Sequence, residues 1–120
     1  MTGEINEKTI FAENDHRNYN RNGEAFDIGD TFSGVDFNKG LIAVQELKKI
    51  LPAKFTLSQL AIKWILSQDG VTVTIPGAIT SKQVENNSEV SEMPDIDSLL
   101  PKIQNIYDQF IKPDIHDKWL

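Results

Sequence analysis

The chain has no cysteine. That excludes a disulfide framework, thiolate nucleophiles and any metal site built on sulfur. Histidine is nearly as scarce, with two in 120 residues. They fall in Asp15-His16 and His116-Asp117, without recognisable ligand spacing, so no metal site is expected. Positive charge is also short: 12 Lys and Arg against 18 Asp and Glu leave a net charge of −6. The isoelectric point is about 4.8. An acidic surface repels phosphodiester backbones and anionic headgroups, so neither nucleic acid nor membrane is expected as a partner. No apolar run approaches a membrane span, and the first residues lack the basic and apolar blocks of a secretory leader. A cytoplasmic location is the resulting expectation. Apolar residues make up 39% of the chain, below the roughly 45–50% of ordinary domains. A chain this short has room for one small domain.

What is present is mostly helical patterning. Residues 1–35 are rich in Asn, Asp, Glu, Gly and Thr, and their apolar residues follow no clean period. They read as a long irregular loop with one or two helical turns. Asp36 caps a helix that runs to about Ile50, with Leu41, Val44, Leu47, Ile50 and Leu51 at helical spacing and Pro52 as its stop. Thr56 and Gln59 form a capping box for the next helix. Leu57, Leu60, Ala61, Trp64 and Ile65 make its stripe, and Gly70 closes it. A last helix starts at Asp97, carries Leu100, Ile103, Ile106, Tyr107 and Phe110 on one face, and ends before Pro113. Ile115 and Trp119 of the tail are expected to dock back onto a helix. The long helices predict a core of Leu47, Leu60, Trp64, Ile65, Ile103 and Phe110.

The stretch 71–87, Val-Thr-Val-Thr-Ile-Pro-Gly-Ala-Ile-Thr-Ser-Lys-Gln-Val-Glu-Asn-Asn, carries the most chemistry. Val71 to Ile75 is a β-branched run that predicts one strand, 71–75, ending at Pro76-Gly77. Thr80 or Ser81 then caps a helix from about 81 to 88. A strand entering a helix through a Gly turn presents free N–H groups and a helix dipole to an anion such as phosphate. The same pattern is also how any α/β unit turns a corner. Gln83, Asn86 and Asn87 lie on that helix as ligand contacts or as a solvated face. A single strand finds no pairing partner within these residues, so its ladder must be completed from elsewhere or the strand does not form.

These stretches together resemble the C-terminal part of the aldo/keto reductase family, bacterial NADP-dependent type. Residues 56–67 are similar to the helix before the last barrel strand, and Gln68-Asp-Gly-Val-Thr-Val-Thr-Ile-Pro-Gly-Ala78 to that strand and its phosphate loop. Gln83-Val-Glu-Asn-Asn87 resembles the cofactor helix, Met1-Thr-Gly-Glu4 the exit of the seventh strand, and residues 11–17 and 20–27 the long loop after it. The resemblance covers essentially the whole chain in one register.

It implies an α/β fold: a C-terminal fragment of a (β/α)8 TIM barrel, mostly helical with one clear strand. Residues 1–35 would be the loop after the seventh strand, 36–112 the helices, last strand and cofactor helix, and 113–120 the tail. The implied parent activity is hydride transfer from NADPH, or NADH, to a carbonyl. The family's catalytic Asp, Tyr, Lys and His belong to the first half of the barrel. Tyr19, Tyr107, His16 and His116 occupy no matching context, so no catalytic residue is assigned here.

By resemblance, Gly77 lies against the cofactor phosphates, Gln83 near the 2′-phosphate, Asn86 and Asn87 at the adenine edge, and Arg17 over the cofactor. Three positions depart from the pattern. Glu4 replaces the usual Lys, and a carboxylate beside pyrophosphate costs up to ~4 kcal/mol at about 4 Å. Ile79 stands where a hydroxyl or Arg often meets the 2′-phosphate, and Asn86 replaces Glu. The expectation is a truncated or split product, inactive alone, whose partners are the nicotinamide cofactor and the missing N-terminal barrel half. The alternative is a non-enzymatic helical interaction protein or half-barrel partner subunit.

Overall fold

The structure, a computed structural model, describes residues 3–118. The readings of Met1, Thr2, Trp119 and Leu120 lie outside those residues. The irregular N-terminal segment holds a single helical turn, α1 (His16–Tyr19), and two 3-10 turns, Ile28–Asp30 and Phe32–Gly34. The second of these is left-handed, with Phe32, Ser33 and Gly34 at φ 50°, 56° and 77°. Only glycine takes such a backbone without strain, and Phe32 holds it while packed 5.0 Å from Phe37 and 6.1 Å from Phe11.

Local chemistry then sets the helix starts. α2 (Phe37–Ile50) is capped by Asp36, whose carboxylate accepts from Lys39 N at 3.0 Å. α3 (Leu57–Leu66) carries the reciprocal Thr56–Gln59 capping box. α4 (Ser81–Ser88) carries a second box, Thr80 with Gln83. The last helical path starts as a 3-10 turn, Asp97–Leu99, and continues as α5 (Leu100–Ile106). A π turn, Tyr107–Ile111, leads into α6 (Lys112–Ile115). The path therefore runs through Pro113 where an end was expected. The widened turn bonds Lys112 N to Tyr107 O. Pro113 then falls in the first turn of α6, where its missing N–H is not needed.

The core forms two clusters. Ala43, Leu47, Leu57 and Ile106 join α2, α3 and α5, with Ile103 and Phe110 half-buried against them. Phe55, Leu60 and Ile96 form the other, and Leu51 and Ile103 touch both. Ile115 is buried, as the tail reading requires. Lys39 Nζ meets Asp114 Oδ1 at 2.5 Å, tying the start of α2 to α6.

Two further expectations fail. Trp64 and Ile65 are 38% and 36% exposed. α3 is rotated so that Leu57, Gln59, Leu60 and Ile62 are its buried residues. The strand 71–75 is not formed, and no strand occurs among the described residues. Val73 and Ile75 are 68% and 92% exposed. The cause is the missing ladder: without a neighbouring strand, water is the better partner for the backbone of these residues.

Candidate functional site

The site begins where the chain enters α4. Thr80 sits in an extended conformation, and its hydroxyl accepts from Gln83 N at 3.2 Å. Gln83 returns the bond, its Oε1 accepting from Ile79 N at 2.8 Å and Thr80 N at 3.2 Å. This fixes the helix start and uses up two loop donors. Among the described residues the N–H groups of Ser81 and Lys82 make no hydrogen bond, as the first turn of any helix leaves them. The first turn holds no acidic residue, and Lys82 adds a positive charge to the positive dipole end. Gln83 keeps its Nε2 free of hydrogen bonds among the described residues.

Gly77 lies in the exposed approach to this turn. A Cβ there would meet nothing within 4 Å, and its φ is outside the left-handed region. Nothing inside the chain therefore demands glycine at 77. Between α3 and the 72–78 segment lies a groove of about 330 Å3, lined by Ile62, Leu66, Pro76, Ala78, Val84 and Asn87 among others. Asn86 and Asn87 are half-buried. Ile79 is exposed, so its apolar side chain is offered to solvent at the mouth of the turn.

α3 holds this assembly in place through Gln59, read from sequence only as a cap partner, and Lys63, to which the sequence reading gave no role. Gln59, buried, accepts at Oε1 from Thr56 N and donates from Nε2 to the Asn86 carbonyl at 3.2 Å. Lys63, one turn on, donates to the Met93 carbonyl at 2.9 Å. The i, i+4 spacing of Gln59 and Lys63, on a helix whose other residues apart from Ser58 are apolar, was the available signal.

Arg17 stands elsewhere. Its guanidinium meets Asp15 through Nε (2.9 Å to Oδ1) and Nη2 (2.5 Å to Oδ2), and lies 4.6 Å from the Phe11 ring centroid. The Arg17 side chain, then its backbone N–H, hold the Asp15 carboxyl at about 2, against an ordinary 3.8. The same contact raises Arg17. Among the described residues no hydrogen bond, ion pair or ring contact joins Arg17 to α4. Beneath it, fully buried Asn20 accepts from Ala25 N and Phe26 N and donates to Thr31 Oγ1, which also meets His16 Nδ1 at 3.1 Å. This network orders the loop. It was not legible, because Asn and Thr in a polar segment read as solvated.

The remaining titratable candidates do not gather. Tyr107 Oη meets His116 Nδ1 at 2.8 Å on an exposed face, apart from His16 and Tyr19 in the N-terminal loop. Among the described residues no group of three or more His, Asp or Glu could hold a metal ion, and no helix is long and apolar enough to cross a membrane. The turn at α4 can thus offer backbone and amide donors to an anion, while among the described residues no acid–base or nucleophilic centre gathers around it. A sequence profile described as the Aldo/keto reductase family matches residues 2–108. No curated protein and no solved structure matches the chain.

Proposed function

The chain belongs to the aldo/keto reductase family, and on that premise we propose that it supplies the adenosine-phosphate side of a nicotinamide cofactor site in a carbonyl reductase. The observation that carries this reading is the start of α4: open first-turn donors, Lys82, and no acidic residue to oppose an anion. The donor set fits a phosphate and offers nothing that would hold a nicotinamide ring. When bound, the cofactor supplies a hydride for a carbonyl carbon.

Each named residue has a binding role only. Gly77 permits close approach of the phosphates to the backbone, since no side chain of its own intervenes. Gln83 Nε2 points the reading toward a 2′-phosphate, and so toward NADPH over NADH. The amides of Asn86 and Asn87 suit the adenine edge, where either a donor or an acceptor is useful. Arg17 must exchange Asp15 for a phosphate before it can cover the cofactor. We assign no catalytic role within the described residues: their one Tyr–His hydrogen bond, Tyr107 with His116, lies on an exposed face without a Lys or Asp hydrogen-bonded to it. The fragment is therefore inactive alone.

Titration calorimetry of the purified chain with NADPH and NADH tests this. The expected dissociation constant for NADPH is in the millimolar range, about 4 kcal/mol, weakened by Lys82→Glu and weaker still for NADH. Binding of NADPH unchanged by Lys82→Glu, or oxidation of NADPH by the chain alone with an aldehyde, would overturn the reading.

A further inference from the structure

Asn22-Gly23 is the one Asn-Gly step in the sequence, and both residues are exposed. The turn requires the glycine. Its φ is +81°, and a Cβ there would stand 3.2 Å from Ile28 Cβ. Asn22 is held by Glu24. Its backbone N–H donates to Glu24 Oε2 at 2.8 Å, and its Nδ2 donates to Glu24 Oε1 at 2.7 Å. These contacts, the Asn22 backbone N–H foremost, keep the Glu24 carboxyl below its ordinary value. Gly23 N donates to Asn20 O at 3.2 Å. The buried Asn20 side chain then closes the loop 20–26, its Oδ1 accepting from Ala25 N at 2.8 Å and Phe26 N at 2.9 Å.

We propose that Asn22 is a site of spontaneous covalent modification, converting to aspartate and isoaspartate through a cyclic imide, with Glu24 as the brake. Gly23 N attacks Asn22 Cγ, and the new C–N bond closes the ring. The Cγ–Nδ2 bond breaks, and Nδ2 leaves as ammonia with the proton that Gly23 N gives up. Water then opens either carbonyl of the imide. One opening leaves the main chain as it was, with a carboxylate on the side chain. The other routes the main chain through Cβ and Cγ. Only water is consumed. Glycine favours the step because no Cβ crowds the attacking nitrogen and its backbone turns freely. Glu24 opposes it in two ways. Nδ2 must leave the carboxylate before the ring can form, and the carboxylate disfavours negative charge building on Gly23 N. The product reverses the contact. A carboxylate replaces the amide that donated to Glu24 Oε1, and like charges at that range repel. The isoaspartyl form also lengthens the main chain inside the loop that Asn20 closes, so the Ala25 and Phe26 bonds are the ones it strains. The inference rests neither on cofactor binding nor on the rest of a barrel.

Incubation of the full chain in mildly alkaline buffer, followed by tryptic mapping, reads the outcome. Trypsin cuts after Arg21 and Lys39, which isolates the fragment beginning at Asn22. Fragmentation separates conversion at Asn22 from conversion at Asn38, and a zero-time digest corrects for conversion during proteolysis. The expected result is a progressive gain of acid at Asn22 in the folded chain, faster in urea. Folded Glu24→Ala should convert roughly tenfold faster than the parent, the factor that a hydrogen bond to a charged group supplies. Glu24→Gln, which keeps an acceptor without the charge, should fall between. Glu24 is exposed and bonded within its own turn, and matched far-UV circular dichroism keeps the acceleration distinct from unfolding. In the aged chain, amide exchange should quicken at Ala25 and Phe26 with α2 unchanged. A folded chain that keeps its amide at Asn22 while the unfolded chain converts overturns the proposal, as does a Glu24→Ala rate equal to the parent's.

Discussion

Arg17 shows how the fold can give a residue a partner that its sequence reading did not name. Its fork suits a phosphate, yet Asp15, two residues earlier, presents a carboxylate to the same fork. A side chain that near in sequence was visible; that it would be the partner was not, because the turn of α1 decides it. The pair makes a pH prediction. Asp15 is depressed to about 2 from 3.8. Its contribution is therefore complete above the unfolded value and is lost as pH falls from about 4 through 2. Carboxyl-carbon NMR should give Asp15 a midpoint near 2, returning toward 3.8 in Arg17→Ala. A wild-type midpoint near 4 would mean the pair does not persist in solution. Asp15→Asn should also free Arg17 and tighten NADPH binding, measured by the same calorimetry as above.

At the scale of elements, starts were legible and faces were not. Asp36, Thr56 and Thr80 cap three helices because capping is decided within four residues. The rotation of α3 depends on what packs against it, so the same apolar residues supported a stripe through Trp64 and Ile65 that the fold does not bury. The π turn was hidden for a similar reason: Pro113 reads as a stop unless the preceding turn widens. α4 is only eight residues long, and a helix of that length is not stable by propensity. Thr80→Ala should therefore cost about 1 kcal/mol and open α4 locally. Faster amide exchange at Val84–Ser88, with α2 unchanged, is the expected signature. Removing the inter-helix tether by Gln59→Ala leaves the Asn86 carbonyl without its donor and should cost about 1–3 kcal/mol in urea unfolding.

For the whole molecule, the radius of gyration is 15.5 Å, against about 14 Å for a compact chain of this length. The excess fits a core split into two clusters that, among the described residues, share only Leu51 and Ile103. Leu60, 2% exposed, anchors one of them. Leu60→Ala should cost about 2–5 kcal/mol, which rivals the roughly 5 kcal/mol total of a small domain. Loss of the cooperative urea transition is the expected outcome, and a transition shifted by less than about 1 kcal/mol would show that the site collapses around the gap.

The uncovered stretch at 70–79 also bears on how long the chain survives. Bound backbone is shielded from proteases, and backbone without hydrogen bonds fits a protease cleft directly. Trypsin finds no Lys or Arg in those ten residues and is blind to them. An enzyme that cuts after small aliphatic residues meets Val71, Val73, Ile75 and Ala78 in succession, all of them exposed. One nick there severs α3 from α4. A copy whose segment is covered should outlast one that is bare, so turnover in the cell would follow the supply of whatever strand does the covering.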